Sequence, residues 1–568
     1  MIRSTPARIE ECMRLGWWSG RTVDDLMQEA VRLAGDQEAL ADPLNRPALI
    51  GSPSRRLTYT ELDAEVNALA AGFLGLGLRK QDVVAVQLPN IVEAVVIFLA
   101  CARLGLIFCP VSMQFRSHEL RYLLTKSCAR IAITVIGLKD SRPAEAIDAL
   151  RGEVGTLERV ITLDGVGGFL VAGQLLRGEP ALLSGHLATL QVDPNDLLTL
   201  CWTSGTEARP KGVPRSHNHW IANGEVCAEI GQVRPGDAIL NPFPMINTAS
   251  IGGMVMPWLM NRARLVQHHP FDLPIFLTQL QEERIAYTVA PPAVLSQLLK
   301  NEALLANTDL SSLRSLGSGS APLAPWMVEG WQTRLGISVV NIFGSNEGCA
   351  LFSCAQDLPD PHDRAQYFPR FGVPGLEWSS PFSAKVRTRL VDPVTEEEVT
   401  EPGQPGELRI DGAMRFDGYW DEPELNVAAF DAAGYFRSGD LFEIAGYGAQ
   451  RRFYRFIGRA KDIIIRGGMK ISPAELDTLI EGHPQIREAA FCGVPDDVLG
   501  ERVGLAAVAK PGETVTLDSV VSYLRKLDVA TIKLPEYLQI FDELPRNSLG
   551  KVVRRDLPSR FKQREEST

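Results

Sequence analysis

The feature that most constrains the fold is an alternation of buried strands and helices through the first 350 residues. "DVVAVQL" (residues 82–88) is typical of a buried strand, and "IVEAVVIFLACARLG" (residues 91–105) of a helix that ends at glycine. "LIFCPVS" then predicts a second strand, which completes a β-α-β unit. The same pattern returns at "RIAITVIG", "RVITL", "ARLVQHH" and "IAYTVAPP". We therefore predict an α/β fold class in which helices cover parallel sheets.

The character of the sequence changes in the last third of the chain. After Pro381, short alternating segments such as "SAKVRTRLVDP" and "GQPGELRIDG" predict a small antiparallel region. Glycines then flank a charged stretch near Lys461, which indicates a boundary between residues 1–460 and residues 461–568. Beyond it, "SPAE" (residues 472–475) predicts a helix start, because the serine caps free N–H groups and Glu475 completes a capping box. We expect the second part to be a small α+β domain.

Charge and cysteine usage exclude several classes of protein. The chain has 58 Lys and Arg against 69 Asp and Glu, and this net charge of −11 argues against nucleic-acid binding through phosphates. The nine cysteines form no C-x-x-C pair, and the eight histidines form no metal-binding pattern. Cys101, Cys109 and Cys492 lie in apolar runs and are interpreted as buried thiols. A cytoplasmic location is expected.

No segment predicts a membrane span or a secretion signal. The most hydrophobic stretch is interrupted by Asn90, Glu93 and Arg103, well before the ~20 apolar residues that a spanning helix needs. The first 20 residues lack the apolar centre of a signal peptide. The sequence is compatible with a homodimer but does not predict one.

"TSGTEARPKG" (residues 203–212) contains the residue types that hold phosphate: hydroxyls, glycines and the cations Arg209 and Lys211. It follows the predicted strand "DLLTLCW", so it leaves the end of a strand, where α/β sheets bind ligands. It differs from the G-x-x-x-x-G-K-[ST] loop because Lys211 precedes Gly212. By itself the stretch is equally compatible with an ordinary turn.

Three further stretches carry residues with suitable chemistry. In "NIFGSNEG", Gly344 indicates a sharp turn, and Glu347 offers a hard oxygen ligand. A single carboxylate beside phosphate oxygens is typical Mg²⁺ chemistry. In "YFRSGDL", Asp440 is able to accept hydrogen bonds from a ribose. In "LPRNSLGKVVRRDL", Lys551 follows a glycine. Each stretch alone is also compatible with a surface loop or a solvated basic patch.

Together, and in this order, these stretches resemble the motifs of the adenylate-forming enzymes, which include acyl- and aryl-CoA synthetases, peptide-synthetase adenylation domains and beetle luciferases. The family pattern T-S-G-T-T-G-x-P-K-G-V corresponds to "TSGTEARPKGV", Y-G-x-T-E to "FGSNE", and the S/T-G-D motif to "SGD". "GRAKDIIIRGGMKISPAE" and "PRNSLGK" correspond to the two motifs that follow. Weaker similarities are "GSGSAPL" and "GYW". The resemblance spans residues 57 to about 556.

The resemblance implies that the chain binds ATP and Mg²⁺. The phosphate loop would wrap the β- and γ-phosphates, Glu347 would hold Mg²⁺, and Phe343 would pack on adenine. Lys551, Glu347 and Lys211 are the implied catalytic residues. The implied nucleotide-binding residues are Thr203, Ser204, Gly205, Thr206, Lys211, Ser320, Ala321, Asn341, Phe343, Gly344, Asn346, Asp440, Arg459 and Lys551.

Two departures from the family pattern fall in these motifs. The second Thr-Gly pair of the phosphate loop is Glu207-Ala208, and alanine restricts a turn in which glycine is usual. The threonine of Y-G-x-T-E is Asn346, whose amide is still able to donate to a phosphate oxygen. We read both as subgroup variation that leaves the chemistry feasible.

By the same resemblance, residues 1–460 would form the AMP-binding and acyl-binding domain, and residues 461–568 a mobile domain. After adenylation this small domain would rotate about Lys461. The rotation would withdraw Lys551 and present the loop with Gly467 and Gly468 to a pantetheine thiol.

The family places its acyl pocket near "NPFPMINTASIGG", "GSGSAP" and the end of "FGSNEG". The pocket residues expected are Met245, Ile246, Asn247, Ile251, Gly317, Gly319, Gly348 and Cys349. The stretch "PFPMIN" has no carboxylate for an α-ammonium group, which disfavours an amino acid. An apolar fatty, cyclic or aryl acid is therefore expected, with some of these residues serving only as core.

The acceptor and one other class of function stay open. No carrier domain follows Arg555, so coenzyme A is the acceptor expected. "VPRSHNHW" is similar to the aryl-AMP ligases of siderophore assembly, so a separate carrier protein is the alternative. A non-catalytic nucleotide-binding protein of the same fold is the other alternative; the presence of Glu347, Asp440, Arg459 and Lys551 argues against it.

Overall fold

The computed structural model describes residues 4–138, 141–163, 168–203, 210–466, 469–496, 498–527, 529–547 and 550–561. Five of the predicted site residues, Ser204, Gly205, Thr206, Gly467 and Gly468, lie outside the described residues, as do Glu207, Ala208 and Arg209.

The first 230 residues alternate between strands and helices, as predicted. The strands are β1 Glu38–Ala41, β2 Arg56–Thr58, β3 Val83–Gln87, β4 Ile107–Pro110, β5 Ile131–Thr134, β6 Arg159–Leu163, β7 Phe169–Val171, β8 Gln174–Leu175, β9 Leu197–Trp202 and β10 Gly212–Ser216. The helices are α1 Pro6–Arg14, α2 Val23–Ala34, α3 Arg46–Ile50, α4 Tyr59–Gly75, α5 Val92–Leu104, α6 Ser117–Ser127, α7 Pro143–Ala149, α8 Pro180–Leu187 and α9 His217–Ile230.

The alternation continues to residue 366. The strands are β11 Ala238–Asn241, β12 Arg264–Gln267, β13 Ile285–Val289, β14 Ser315–Gly319, β15 Ser338–Gly344 and β16 Ala350–Ser353. The helices are α10 Thr248–Ser250, α11 Met256–Asn261, α12 Leu273–Glu282, α13 Pro292–Lys300, α14 Glu302–Ala306, α15 Pro325–Leu335 and α16 Pro361–Gln366. A π-helical turn, Ile251–Val255, joins α10 to α11.

Strands dominate the last part of the chain. They are β17 Tyr367–Pro369, β18 Val386–Val391, β19 Gly406–Gly412, β20 Phe436–Ile444, β21 Phe453–Arg459, β22 Ile464–Arg466, β23 Met469–Ile471, β24 Ile486–Asp496, β25 Gly500–Ala509 and β26 Tyr537–Ile540. The helices are α17 Pro423–Ala429, α18 Pro473–Ile480 and α19 Leu517–Lys526.

Two eight-stranded sheets carry the first 366 residues. Sheet I has the order β16-β15-β14-β13-β11-β12-β1-β2, and sheet II the order β10-β9-β4-β3-β5-β6-β7-β8. The central pairs of both sheets are parallel, and antiparallel strands occur at their edges. The main core lies between the sheets and includes side chains from both. The predicted α/β class with parallel-rich sheets is confirmed.

Helix α5 occupies the middle of this core, and each of its residues is buried. Its two charged side chains are paired, which is how a buried charge is tolerated. Glu93 accepts two hydrogen bonds of 2.7 Å from the guanidinium group of Arg46, and Arg103 bonds Asp24 and Asp63. Two of the three interruptions of this apolar stretch, Glu93 and Arg103, are therefore buried ion pairs that fix α5 to its neighbours. Among the described residues, no helix is both long and apolar enough to cross a membrane.

The remaining strands form two smaller sheets. Sheet III is antiparallel in the order β17-β21-β20-β19-β18, which confirms the antiparallel region predicted after Pro381. Sheet IV has the order β23-β22-β25-β24, with β26 parallel to β25, and packs on α18 and α19. The small C-terminal α+β unit is thus present. Where one domain ends and the next begins stays a prediction.

The start of α18 differs in one detail from the prediction. Ser472 caps the helix, because its hydroxyl accepts a 3.1 Å hydrogen bond from the Glu475 N–H. The Glu475 carboxylate does not close the predicted capping box, since it accepts two bonds from Lys533 Nζ at 2.7 and 2.8 Å. A cation distant in sequence competes successfully for this carboxylate, and that competition is not visible locally.

The chain before β1 packs against sheet III. Trp18 donates through its indole N–H to the Ala413 carbonyl at 3.0 Å, and Arg8 donates to the carbonyls of Gly412 and Arg415.

The three predicted buried cysteines, Cys101, Cys109 and Cys492, are buried free thiols. The imidazole of His217 accepts a hydrogen bond from the Val23 N–H, and burial lowers its pKa to about 4.

Candidate active site

The phosphate loop leaves the hairpin of β9 and β10, whose ends are locked together. The Thr203 N–H donates to the Lys211 carbonyl at 2.9 Å, and the Lys211 N–H donates to the Thr203 hydroxyl at 3.1 Å. Gly212 lies opposite Trp202 in the hairpin register. Both described ends of the loop are therefore held in a defined position at the edge of sheet II.

A chain of three side chains leads from this loop to the turn after β15. The Lys211 ammonium group lies 5.3 Å from the centre of the Tyr419 ring. The Tyr419 hydroxyl donates a 2.9 Å hydrogen bond to Glu347 Oε1. Tyr419 and Glu347 are 6% and 9% exposed. Sequence reasoning noted only the weak similarity of "GYW" and missed Tyr419 as a site residue.

The turn between β15 and β16 is tied to its surroundings by Asn346. Its Oδ1 accepts a 2.9 Å bond from the Thr248 N–H, and its Nδ2 donates to the Trp202 carbonyl at 3.4 Å. The carbonyl of Asn346 accepts a bond from the buried guanidinium of Arg215. The Asn346 amide thus joins the turn to α10 and β9, a use that differs from the expected phosphate contact.

Two residues of β15 itself also contact other parts of the protein. Asn341 donates through Nδ2 to the carbonyls of Arg364 and Ala365 at 3.2 and 2.9 Å. The half-buried Phe343 ring packs edge to face on Phe442, with 5.0 Å between ring centres. Gly344 ends the strand and is exposed. In this arrangement the Asn341 Nδ2 group already has two acceptors, and its role at an adenine edge stays a prediction.

Asp440 and Arg459 are directly opposite each other on β20 and β21. Arg459 Nε lies 3.3 Å from Asp440 Oδ1. Burial raises the pKa of Asp440 to about 6; the positive charges of Arg459 and Lys551 oppose this shift, and the Glu347 charge adds to it. A carboxylate in such an environment is poised to accept hydrogen bonds from a ligand.

Lys551, on the C-terminal segment, lies near enough to this pair for both of its charges to act on the lysine. Surrounding protein lowers the pKa of its ammonium group, although part of the residue stays exposed; Arg459 lowers the pKa further and Asp440 raises it. The Lys551 N–H donates to Asn547 Oδ1 at 3.0 Å, which fixes the backbone at this lysine. Arg554, which looked like part of a solvated patch, pairs with Asp477 on α18 and anchors the segment.

The expected acyl-pocket residues fall into two groups. Met245 and Ile251 are buried in the core between the sheets, and Asn247 caps α10 through a 3.2 Å bond from the Ser250 N–H. Met245 Sδ accepts a weak 3.6 Å hydrogen bond from Gln267 Nε2. The backbone N–H of Met245 donates to Asn90 Oδ1 at 3.1 Å. Ile246 is half-buried.

The second group consists of Cys349 and the three glycines, each of which lies close to a neighbouring segment. A Cβ atom on Gly317 would lie 2.7 Å from Val289 Cγ2, and one on Gly319 would lie 2.0 Å from the Ile342 carbonyl oxygen. Gly348 has φ +80°, and its Cβ would lie 1.8 Å from the Met414 carbonyl oxygen. Cys349 is buried, and burial raises the pKa of its thiol. The three glycine positions therefore require a residue without a Cβ atom for packing, whatever else they contact.

The remaining predicted residues lie at exposed turns. Ser320 follows β14 with a left-handed backbone, φ +72°, which costs a non-glycine residue about 1 kcal/mol or more and is typical of functional loops. Ala321 beside it is exposed, as is Lys461 after β21. β14 and β15 are adjacent and parallel, and the 3.4 Å bond from Asn346 to the Trp202 carbonyl brings the turn after β15 to the end of β9. Carboxyl ends of strands are where ligands bind in open α/β sheets.

Comparison with known proteins identifies this arrangement. A family model described as AMP-binding enzyme matches residues 36–420, and one described as AMP-binding enzyme C-terminal domain matches residues 475–551. The medium-chain fatty-acid–CoA ligase of Escherichia coli is 29% identical over 96% of this chain and 92% of its own length. The indoleacetate–CoA ligase of Aromatoleum aromaticum is 30% identical over 89% and 93%. ATP-bound MatB of Rhodopseudomonas palustris superposes with a TM-score of 0.75 and 25% identity, over 95% and 99%.

Proposed function

The chain belongs to the family of AMP-binding enzymes, and on this premise we propose that it joins an apolar carboxylic acid to coenzyme A through an acyl-adenylate. The activity is AMP-forming acid–CoA ligation, with ATP, Mg²⁺ and CoA as its nucleotide, metal and acceptor. The acid reacts with ATP to form acyl-AMP and pyrophosphate, and the CoA thiol then displaces AMP.

The observation that carries this proposal is the Asp440–Arg459 pair, with Lys551 near enough for the charges of both to act on its ammonium group. Lys551 comes from the C-terminal segment, whereas the other two lie on sheet III. A carboxylate is a poor electrophile because its oxygen is a bad leaving group. Transfer of AMP from ATP onto that oxygen releases pyrophosphate and makes AMP the leaving group. Lys551 would bridge the acid and the α-phosphate as charge shifts, and Lys211 would neutralise the outer phosphates.

Asp440 and Arg459 would hold the ribose, and Phe343 would support adenine from its aromatic cluster. The geometry supports a ribose contact because, among the described residues, the buried Asp440 carboxylate has one ion pair, at 3.3 Å, and keeps capacity to accept further hydrogen bonds. Thr203 and Lys211 would present the loop to the β- and γ-phosphates. Each role is proposed for the residue that matches the family motif.

The residues fit a magnesium ion that is shared with the nucleotide. Among the described residues, no group of three carboxylate, histidine or cysteine side chains is arranged to hold a metal by itself. A lone carboxylate such as Glu347 is the usual protein contribution to Mg²⁺ bound on phosphates. When bound, Mg²⁺ would stabilise negative charge on the triphosphate, and Glu347 would orient it.

The nature of the acid is proposed from the pocket side chains. Met245 and Ile251 offer apolar surface, and residues 242–247 contain no carboxylate to bind an ammonium group. We propose a fatty, cyclic or aryl acid rather than an amino acid. Methionine adapts to several shapes, so chain length does not follow from it.

For the second half-reaction we propose that residues 461–568 move as a unit about Lys461. Withdrawal of Lys551 would then open the site to a thiol, and closure would exclude water from the adenylate. We propose free CoA as the acceptor, with a carrier protein as the alternative, and a cytoplasmic location. Analytical sedimentation would test for a homodimer.

Exchange of labelled pyrophosphate into ATP, run with a panel of acids and followed by thioester assays with CoA, tests the proposal. Exchange that depends on an apolar acid, together with acyl-CoA formation, is expected. Exchange without transfer to CoA would favour a carrier protein. No exchange with any acid of the panel would favour a non-catalytic nucleotide-binding protein.

A further inference from the structure

Tyr419 lies between the phosphate-loop lysine and the carboxylate proposed for Mg²⁺, and contacts both. Its ring centre is 5.3 Å from Lys211 Nζ, and its hydroxyl is 2.9 Å from Glu347 Oε1. We propose that Tyr419 is a positioning residue that couples the phosphate loop to the metal-binding turn. This inference rests on the proposed function, because it assigns Lys211 to phosphate and Glu347 to Mg²⁺.

The hydroxyl group sets the direction of the carboxylate. Tyr419 donates to Oε1, which leaves Oε2 as the oxygen on which a metal ion would be bound. Among the described residues, no other side chain donates to the Glu347 carboxylate. The backbone is held separately, because the Phe416 N–H donates to the Glu347 carbonyl at 2.9 Å. The rotation of the side chain therefore depends on the tyrosine hydroxyl.

The ring sets the position of the cation. A lysine ammonium group over an aromatic face is attracted by the negative face of the ring, within about 6 Å of its centre. The Lys211 ammonium group is thereby held over the same ring whose hydroxyl group bonds Glu347. One side chain thus orders both the cation that would neutralise phosphate and the anion that would bind the metal.

Tyr419 is itself rigidly held, as a positioning residue must be. Its N–H donates to Asn426 Oδ1 at 2.6 Å, and Asn426 Nδ2 donates back to its carbonyl at 2.9 Å. The next residue, Trp420, donates from its N–H to the Gly212 carbonyl at 2.8 Å. The segment is thus joined to β10 at the point where the phosphate loop ends.

The two functions of the tyrosine are separable by substitution. Tyr419→Phe keeps the ring and removes the hydroxyl, whereas Tyr419→Leu removes both. Tyr454→Phe is the matched control, because Tyr454 is also buried, belongs to the same core cluster and bonds Thr388 through its hydroxyl. Thermal unfolding of all three variants reports any general loss of stability.

Binding is measured in the absence of any acid, so that no reaction occurs: ATP without metal by calorimetry, and Mn²⁺ with ATP by electron paramagnetic resonance. Tyr419→Phe is expected to weaken Mn²⁺ about tenfold or more while metal-free ATP binding changes less than about twofold. Tyr419→Leu is expected to weaken both, and Tyr454→Phe neither. An unchanged Mn²⁺ affinity in Tyr419→Phe would overturn the proposal, as would equal effects of Phe and Leu on metal-free ATP.

These outcomes are distinct from a failure of the proposed function. If the chain were a non-catalytic nucleotide-binding protein, the native protein would show no acid-dependent pyrophosphate exchange. Its ATP and Mn²⁺ affinities would still be measured, and the Phe and Leu variants would still separate the two contacts.

Discussion

Asp440 and Arg459 face each other across β20 and β21, with 3.3 Å between Arg459 Nε and Asp440 Oδ1. Despite this positive neighbour, burial raises the pKa of Asp440 to about 6. The carboxylate is only 7% exposed, so desolvation outweighs the attraction of Arg459. The pair therefore holds a carboxylate whose charge is lost within an accessible pH range.

The pH dependence of kcat/KM for ATP tests whether the pKa of Asp440 is raised by burial. The raised pKa means that Asp440 becomes protonated as the pH falls through about 6. A protonated carboxyl group accepts hydrogen bonds poorly, so kcat/KM for ATP is expected to fall below that pH. Asp440→Asn should lower kcat/KM and remove this acid limb. An acid limb that is unchanged in Asp440→Asn would assign it to another group.

Substitution of Lys551 separates the two half-reactions. Lys551→Ala is expected to lower acid-dependent pyrophosphate exchange by about 10²-fold or more, because a transition-state cation is lost. Thioester formation from supplied acyl-AMP should be nearly unchanged. The exposed Lys526 at the end of α19 provides the control, Lys526→Ala. Equal loss of both half-reactions in Lys551→Ala would contradict the movement of the C-terminal unit.

Gly348 tests the geometry of the metal-binding turn. Alanine at φ +80° is strained, and its Cβ would lie 1.8 Å from the Met414 carbonyl oxygen. Gly348→Ala is expected to destabilise the protein by ~2 kcal/mol or more and to suppress pyrophosphate exchange. Gly185→Ala is the control, since nothing lies within 4 Å of its Cβ position on exposed α8. Retention of native stability by Gly348→Ala would refute the close approach.

Loss of the buried Arg46–Glu93 ion pair is expected to lower the free energy of unfolding more than loss of a surface ion pair. Glu93→Ala leaves the fully buried Arg46 without its bidentate acceptor and should cost ~3–5 kcal/mol, read as a lowered thermal midpoint. The exposed Arg121–Glu153 pair is the control, and Glu153→Ala should leave the thermal midpoint nearly unchanged, because water screens exposed charges. Similar midpoints for the two variants would contradict the argument.

The same pair has a defined pH dependence. Burial raises the pKa of Glu93, but the bonds and charge of Arg46 outweigh it, and the net shift is downward. A lowered folded-state pKa contributes stability that is present above the unfolded-state value, ~4.3. That contribution is lost as the pH falls through the lower folded-state pKa. Acid titration of the native protein and Glu93→Ala should therefore converge only in strong acid.

Local pattern was sufficient for the elements of the fold. The β3–α5–β4 unit was predicted to within a few residues, because the periodicity of buried side chains and the glycine after α5 are local signals. The cap at Ser472 was predicted for the same reason. The order of motifs along the chain predicted the family.

The use of each polar group was decided by the tertiary structure alone. The side-chain amides of Asn341 and Asn346 form hydrogen bonds with backbone groups of the protein. Glu475 binds Lys533. Tyr419 joins Lys211 to Glu347. None of these partners is near in sequence. Hydrogen bonds and ion pairs depend on which distant segments the sheets bring together, and a single sequence read locally carries no record of that pairing.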